Sequence, residues 1–291
     1  MMTMTPRQSC LSPLPGLLTE PLVRMALLED LGRAGDITTE AVIAADTRMS
    51  VCMSARQPGV VAGLDLAILA FRLLDPDISC TVLLKDGTPV GAADAVMRVE
   101  GLARPILSAE RVALNFVCRL SGIASATALL VEAARPHGPA RITCTRKTTP
   151  GLRAVEKYAV RAGGGANHRF GLDDAVLIKD NHVAAAGGVA PAIHRARAHV
   201  GHLVKIEAEV DTLAQLEEAL GAGVDAVLLD NMGPDMLRQA VALVDRRAIT
   251  EASGRITAQT VPAIAASGVD LISCGWLTHS APILDLGLDA V

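Results

Sequence analysis

From residue 141 onward, short β-branched runs alternate with amphipathic helices, and that alternation narrows the possible folds more than any other feature of the chain. The runs are Arg141–Thr145, Ala175–Asp180, Leu203–Val210, Asp225–Asp230, Ala248–Ser253 and Leu271–Gly275. Between the later runs, apolar residues return at helical spacing. Leu213, Leu216 and Leu220 share one face, as do Met236/Leu237, Ala240/Val241 and Val244. Strand–helix–strand order predicts parallel pairing, because a crossover brings the next strand back in the same direction. The last strand starts fall 22 or 23 residues apart, close enough for a tightly wound barrel. A complete eight-stranded barrel takes ~250 residues. About 150 remain here, with about six strands. The expectation is α/β: an incomplete, open α/β barrel. An open doubly wound sheet is the alternative, weakened because no Gly-x-Gly-x-x-Gly follows an early strand.

The preceding chain reads differently. From about Asp36 to Arg104, β-like runs at Met49–Ala55, Cys80–Leu84 and Ala95–Val99 are broken by Pro58-Gly59, Asp86-Gly87 and Gly91. A helix at Leu64–Leu74 lies among them, which predicts a small α+β sheet domain. A helix-prone stretch, Ser108–Arg135, follows, with Gly122 as an expected break between two helices.

Composition excludes several functions. Of 291 residues, 51% are apolar, but only three Phe, one Tyr and one Trp are aromatic. A single-stranded nucleic-acid platform needs aromatic faces to stack bases on. The net charge of −4 also lacks the basic excess of a phosphate-backbone binder, so no nucleic-acid partner is expected. No stretch approaches ~18 consecutive apolar residues, so no membrane span is expected. The first twenty residues hold three prolines and no apolar run, which suggests a frayed arm and not a secretory signal. Six scattered cysteines (Cys10, Cys52, Cys80, Cys118, Cys144 and Cys274) without a CxxC pair suit reduced thiols in the cytoplasm.

Active sites of α/β barrels lie at the C-terminal ends of the strands. Those ends read Thr145-Arg146-Lys147, Lys179-Asp180-Asn181-His182, Glu209, Asp230-Asn231, Ser253-Gly254 and Gly275. Six polar or glycine ends converging on one mouth point to a site. Residues 141–182 hold eight Lys or Arg against four acids, a net of +4; with the whole at −4, the remainder carries −8. Such a cationic mouth, with His168 and His182 nearby, predicts a small polyanionic ligand. Arg153, Lys157 and Arg161 are expected on a solvated helix face. Glu209 and Asp230 could ligate Mg²⁺ or accept sugar hydroxyls. Gly163-Gly164-Gly165 and Ser253-Gly254 leave room for backbone amides to approach phosphate. Lys179 at a strand end also allows a Schiff-base lyase, and a non-catalytic binder of phosphorylated metabolites is a third reading.

At these residues the chain resembles the quinolinate phosphoribosyltransferases, also called carboxylating nicotinate-nucleotide pyrophosphorylases. The resemblance runs from Leu28-Glu29-Asp30 and Gly35-Asp36-Ile37-Thr38 to Leu277-Thr278-His279-Ser280 and Leu284-Asp285. Its most specific pieces are Thr145-Arg146-Lys147-Thr148-Thr149-Pro150-Gly151, Gly163-Gly164-Gly165 with Asn167-His168-Arg169, and Ile178-Lys179-Asp180-Asn181-His182. It implies an N-terminal α+β sandwich domain over 1–120 followed by an incomplete barrel domain over 121–291. It also implies a homodimer with shared active sites. The implied reaction joins quinolinate and phosphoribosyl pyrophosphate, with Mg²⁺, to give nicotinate mononucleotide, pyrophosphate and CO₂.

The resemblance also implies roles. Arg111 would reach the partner subunit's quinolinate, while Arg146, His168 and Arg169 would complete the dicarboxylate pocket. Lys147 and Lys179 would stabilise the departing pyrophosphate, and Glu209 and Asp230 would hold ribose hydroxyls and Mg²⁺. Ser253, Gly254 and Gly275 would cradle the 5′-phosphate, with Thr145, Arg255, Cys274 and Trp276 also lining the substrate site. The chain departs from the pattern twice. Arg255 stands where the family has a second glycine, and Trp276 where a small residue follows the last strand's glycine. Arg255 either adds a phosphate contact or points to solvent.

Overall fold

A computed structural model describes residues 11–291, which form two compact units. The first takes the described chain up to Ser125, Ala154–Ala162 and Pro282–Val291. Its elements are α1 (Gly16–Leu31), α2 (Ile37–Val42), β1 (Arg48–Ala55), β2 (Gly59–Val60), α3 (Leu64–Leu74), β3 (Ser79–Val82), β4 (Pro89–Val90) and β5 (Ala95–Leu102). To these it adds much of α4 (Ala103–Ala134), most of α5 (Arg153–Ala162) and β12 (Leu286–Ala290). An antiparallel sheet runs in the order β12-β1-β5-β3. Alternation decides which face it buries: Val51 and Met53 lie opposite Val99 and Met97, all four buried, while Arg98 and Glu100 face solvent. The Asp86 carboxylate accepts the backbone N–H groups of Gly63 and Leu64 at the start of α3, and the hydroxyl of Tyr158 at 2.7 Å.

Several expectations change here. The long helix starts earlier, at Ala103, and does not break at Gly122. A Cβ on Gly122 would lie 2.1 Å from the Pro282 carbonyl oxygen, so glycine is required there by a crossing chain and not by a helix end. The stretch Ala103–His137 is also more apolar than expected. It has a mean hydropathy of 1.6 over 18 residues and by length and composition could cross a membrane, yet 61% of that window is buried in the protein, as in a core helix. Helix α1 already covers residues 16–20 of the expected frayed arm, while Cys10 lies outside the described residues. Of the three cations expected on a solvated face of α5, only Arg161 is exposed. Lys157 is buried beside Glu156, which pairs with Arg119 at 2.9 Å, and Arg153 donates to Thr148 Oγ1 and the Phe170 carbonyl.

The second unit holds β6 (Arg141–Thr143), β7 (Val176–Ile178), α6 (Asp180–Ala186), α7 (Val189–His199), β8 (Ile206–Val210), α8 (Leu213–Gly221) and β9 (Ala226–Asp230). It continues with α9 (Pro234–Val244), β10 (Ile249–Ser253), α10 (Val261–Ala265), β11 (Leu271–Ser273) and α11 (Trp276–His279). Its parallel sheet runs in the order β6-β11-β10-β9-β8-β7. The first strand therefore lies beside the last, and the cyclic order is interrupted between β6 and β7. A doubly wound sheet instead reverses its order at an internal switch point. The architecture is the incomplete barrel, open between its first two strands. Leu216 and Ala219 on α8, and Leu237, Ala240 and Val244 on α9, are buried; Met236 proves exposed.

Period-two alternation sorts the strand side chains. On β8, Ile206, Ala208 and Val210 are fully buried on the face covered by α7 and α8, which turns Glu207 and Glu209 to the barrel interior. At the opposite end of that strand the Asp225 carboxylate accepts from the Ile206 N–H, Arg197 and Lys205. Burial opposes its ionisation, but these donors prevail and hold it down to about 2.

Candidate active site

The C-terminal ends of the six strands enclose a cavity of about 730 Å³. Fourteen of the fifteen candidate residues line it. Thr145, Arg146 and Lys147 follow β6; His168 and Arg169 come from the segment before β7; Lys179 follows β7. Glu209, Asp230 and Ser253 end β8, β9 and β10; Gly254 and Arg255 continue from Ser253, and Cys274, Gly275 and Trp276 follow β11. Arg111 is not among the lining residues. It is exposed on α4, in the first unit, beside a smaller cavity with Asp36, Thr38 and Glu110.

The cavity is divided by charge. Arg146 and Arg169 form its cationic side, and the Nε of each is buried without a hydrogen-bond partner among the described residues. Arg169 donates through Nη1 to the Ala175 carbonyl at 2.9 Å. Burial, then the neighbouring Arg146 cation, lowers the pKa of Arg169, against the opposing pull of the Asp174 and Glu207 carboxylates. Across the mouth, Lys179 Nζ lies 2.9 Å from Glu209 Oε2. The Asp230 carboxyl is raised by burial and then by the charge of Glu209, against the pull of Lys179 and the Asn231 amide. Two acids that repel one another at the ends of the neighbouring strands β8 and β9 are a fitting partner for a cation or for hydroxyl donors.

Ser253 faces Asp230 in register, and the chain then turns sharply. Gly254 has φ +94°, and a Cβ there would lie 2.2 Å from Asn231 Oδ1, so only glycine fits. Arg255 follows in the left-handed region at φ +51°. The Trp276 indole N–H donates to the Ile256 carbonyl at 2.9 Å, so this departure from the family pattern ties the loop after β10 to α11.

Beneath this upper ring is a second layer that strand-end reading overlooked. Glu207 and Glu251 point inward two residues before Glu209 and Ser253, and His168 lies above them. His168 Nε2 is 3.0 Å from Glu207 Oε2 and 3.6 Å from Glu251 Oε1. The i−2 spacing from a strand end is the signal that could have found them.

Family models cover nearly the whole described chain. Residues 36–121 match the N-terminal domain of quinolinate phosphoribosyl transferase, and residues 123–289 match its C-terminal domain. The chain belongs to the quinolinate phosphoribosyltransferase family. Its activity is that of a nicotinate-nucleotide pyrophosphorylase in NAD biosynthesis. It is 45% identical over 272 residues to the carboxylating nicotinate-nucleotide pyrophosphorylase of Mycobacterium leprae, spanning 92% of this chain and 95% of that protein. The probable enzyme of Bacillus subtilis is 42% identical over 273 residues, 94% and 93% of the two chains. Among solved structures, NadC from Streptococcus pyogenes superposes with a TM-score of 0.92 at 41% identity, covering 96% of this chain and 99% of that one. The Francisella tularensis nicotinate-nucleotide pyrophosphorylase gives 0.92 at 38% identity, with 97% and 99% covered. Family membership replaces the Schiff-base lyase and non-catalytic alternatives.

Proposed function

We propose that the cavity converts quinolinate and phosphoribosyl pyrophosphate to nicotinate mononucleotide, pyrophosphate and CO₂, each substrate taking one side of the charge division. The juxtaposition of unpartnered Arg146 and Arg169 Nε atoms with the Glu209/Asp230 pair carries this reading. Arg146 and Arg169 bind the carboxylates of quinolinate, for which planar guanidinium forks are suited. Glu209 and Asp230 accept the ribose hydroxyls and are the residues that would hold Mg²⁺; the repulsion between them fits a cation. Bound there, Mg²⁺ supplies charge neutralisation to the pyrophosphate oxygens. Lys147 and Lys179 offer ammonium groups to the leaving pyrophosphate as its charge grows, which lowers the barrier to an oxocarbenium-like ribose centre. The ring nitrogen of quinolinate attacks that centre. Its quaternised form then stabilises the carbanion left at C2 when CO₂ departs, and a proton from solvent takes the place of the lost carboxylate.

Arg255 is a 5′-phosphate contact in this reading, supported by its place on the cavity wall beside Ser253 and Gly254. Arg255→Gly is expected to raise the KM for phosphoribosyl pyrophosphate about tenfold, since a charge-assisted contact contributes ~1.5–3 kcal/mol. The same change should raise Tm slightly, because glycine adopts the left-handed backbone without steric cost. An unchanged KM would sink the contact.

Arg111 serves the partner subunit of a homodimer. Its exposure, and the exposed Ile37 and Val42 on nearby α2, support a protein–protein contact there. A cytoplasmic location completes the reading, consistent with the absence of disulfides among the described cysteines. The test is incubation of the purified protein with quinolinate labelled at the C2 carboxyl, phosphoribosyl pyrophosphate and Mg²⁺. Labelled CO₂ and nicotinate mononucleotide should appear in equal amounts; unlabelled CO₂, or mononucleotide without CO₂, would refute the chemistry.

A further inference from the structure

The layer beneath the cavity has a definite proton arrangement. His168 Nδ1 accepts the backbone N–H of Arg169 at 2.8 Å. A ring nitrogen that accepts carries no proton, so the ring proton is on Nε2, between Glu207 and Glu251. The three donor atoms lie within 4.8 Å of one another, a set that by composition could hold a divalent ion. Nε2, however, already bears a proton and has no lone pair left to give a metal. Glu251 is buried to 1% exposure, and its Oε1 has no hydrogen-bond partner among the described residues. An ionised carboxylate so placed is expensive, whereas a carboxylic acid is not.

We propose that Glu251 is a positioning residue for quinolinate: by holding a proton beneath His168 it leaves this layer with one negative charge, so that Arg146 and Arg169 remain directed to the ligand. The inference rests on the reading above that these two arginines take the quinolinate carboxylates. Burial first, then the charge of Glu207, pushes the Glu251 carboxyl up to about 7, with His168 and the Ser273 hydroxyl opposing. The groups facing Glu251 are Glu207 from β8, His168 above it and Ser273 from β11; its register partner on β9 is the apolar Leu228. Arg169 already feels Glu207 as an attractive charge. A second carboxylate in this layer would draw the guanidinium downward and repel a dianionic ligand. On acidification Glu251 takes up its proton and the layer keeps only the charge of Glu207; as pH rises through about 7 the layer gains a second negative charge. Quinolinate affinity therefore falls with rising pH while phosphoribosyl pyrophosphate, across the cavity, is spared.

The experiment is the KM for each substrate between pH 6.5 and 8.5, for the wild type and for Glu251→Gln. The wild-type quinolinate KM should rise about tenfold, the effect of roughly one pH-linked unit of binding, with the phosphoribosyl pyrophosphate KM nearly flat. Glu251→Gln should hold the quinolinate KM near its low-pH value throughout. A variant whose profile parallels the wild type overturns the proposal. Glutamate labelled with carbon-13 at Cδ gives a test that needs no variant: one carboxyl resonance should titrate near pH 7, and the lack of any such resonance overturns the proposal. A divalent metal bound one-to-one in the purified protein and lost in Glu251→Gln would also overturn it. Arg169→Ala separates the two levels, since an unaltered quinolinate KM there defeats the parent reading whatever Glu251 does.

Discussion

Arg169→Ala is expected to lower kcat/KM for quinolinate by roughly 30-fold to several thousand-fold, the range for removing one side of a buried, hydrogen-bonded charge pair. The reason lies in the state of the guanidinium before ligand arrives. Nη1 is fixed by the Ala175 carbonyl, the neighbouring backbone N–H is fixed by His168, and Nε is buried without a partner. The cation is therefore held in place, partly desolvated and beside another cation, Arg146. A carboxylate that enters meets donors already oriented and supplies the charge they lack. The loss should appear mainly in the KM for quinolinate, with the KM for phosphoribosyl pyrophosphate within about threefold of wild type. Arg169→Lys should recover only part of it, because an ammonium restores charge but not the two-pronged geometry. Steady-state kinetics with each substrate varied in turn checks all three statements.

Asp230→Asn should lower kcat about 10²- to 10³-fold, the usual size of losing one group that stabilises charge in the transition state. The amide keeps the shape and the contact with Asn231 but removes the negative charge. The quinolinate KM should move little, since that ligand occupies the other side, while the Mg²⁺ concentration needed for half-maximal rate should rise. There is also a pH consequence. The folded protein raises the Asp230 carboxyl above its ordinary range, by burial and by Glu209. The ionised form is therefore lost on acidification earlier than for an unperturbed aspartate, and the wild-type rate should fall correspondingly early. A Glu209→Gln enzyme, relieved of that neighbour's charge, should have its acid limb shifted to lower pH.

The barrel was legible because its signal is local and repeated: β-branched runs, helical spacing of Leu216 and Leu237, and polar residues where each strand stops. Strand ends determined the upper ring of the cavity, from Arg146 round to Gly275, because the chemistry of such barrels gathers there. Three things were not legible for physical reasons. Gly122 looks like a helix break, and only the crossing of Pro282, 160 residues away in sequence, shows that the glycine answers a close approach. Lys157 reads as solvated, yet α5 packs with the first unit, which no helical pattern announces. Glu207 and Glu251 were passed over because they lie inside strands, where an acid reads as an exception. The pleat that makes Glu209 face the cavity makes Glu207 face it too, one layer lower.

Quinolinate and phosphoribosyl pyrophosphate occupying opposite sides of one charge-divided cavity is the central claim. The most direct measurement is a crystal structure of the enzyme with quinolinate alone, which cannot react without its partner. The carboxylates should be found on Arg146 and Arg169, with Glu209 and Asp230 still open to the cavity. Quinolinate seated between Glu209 and Asp230, or outside this cavity, would contradict the account.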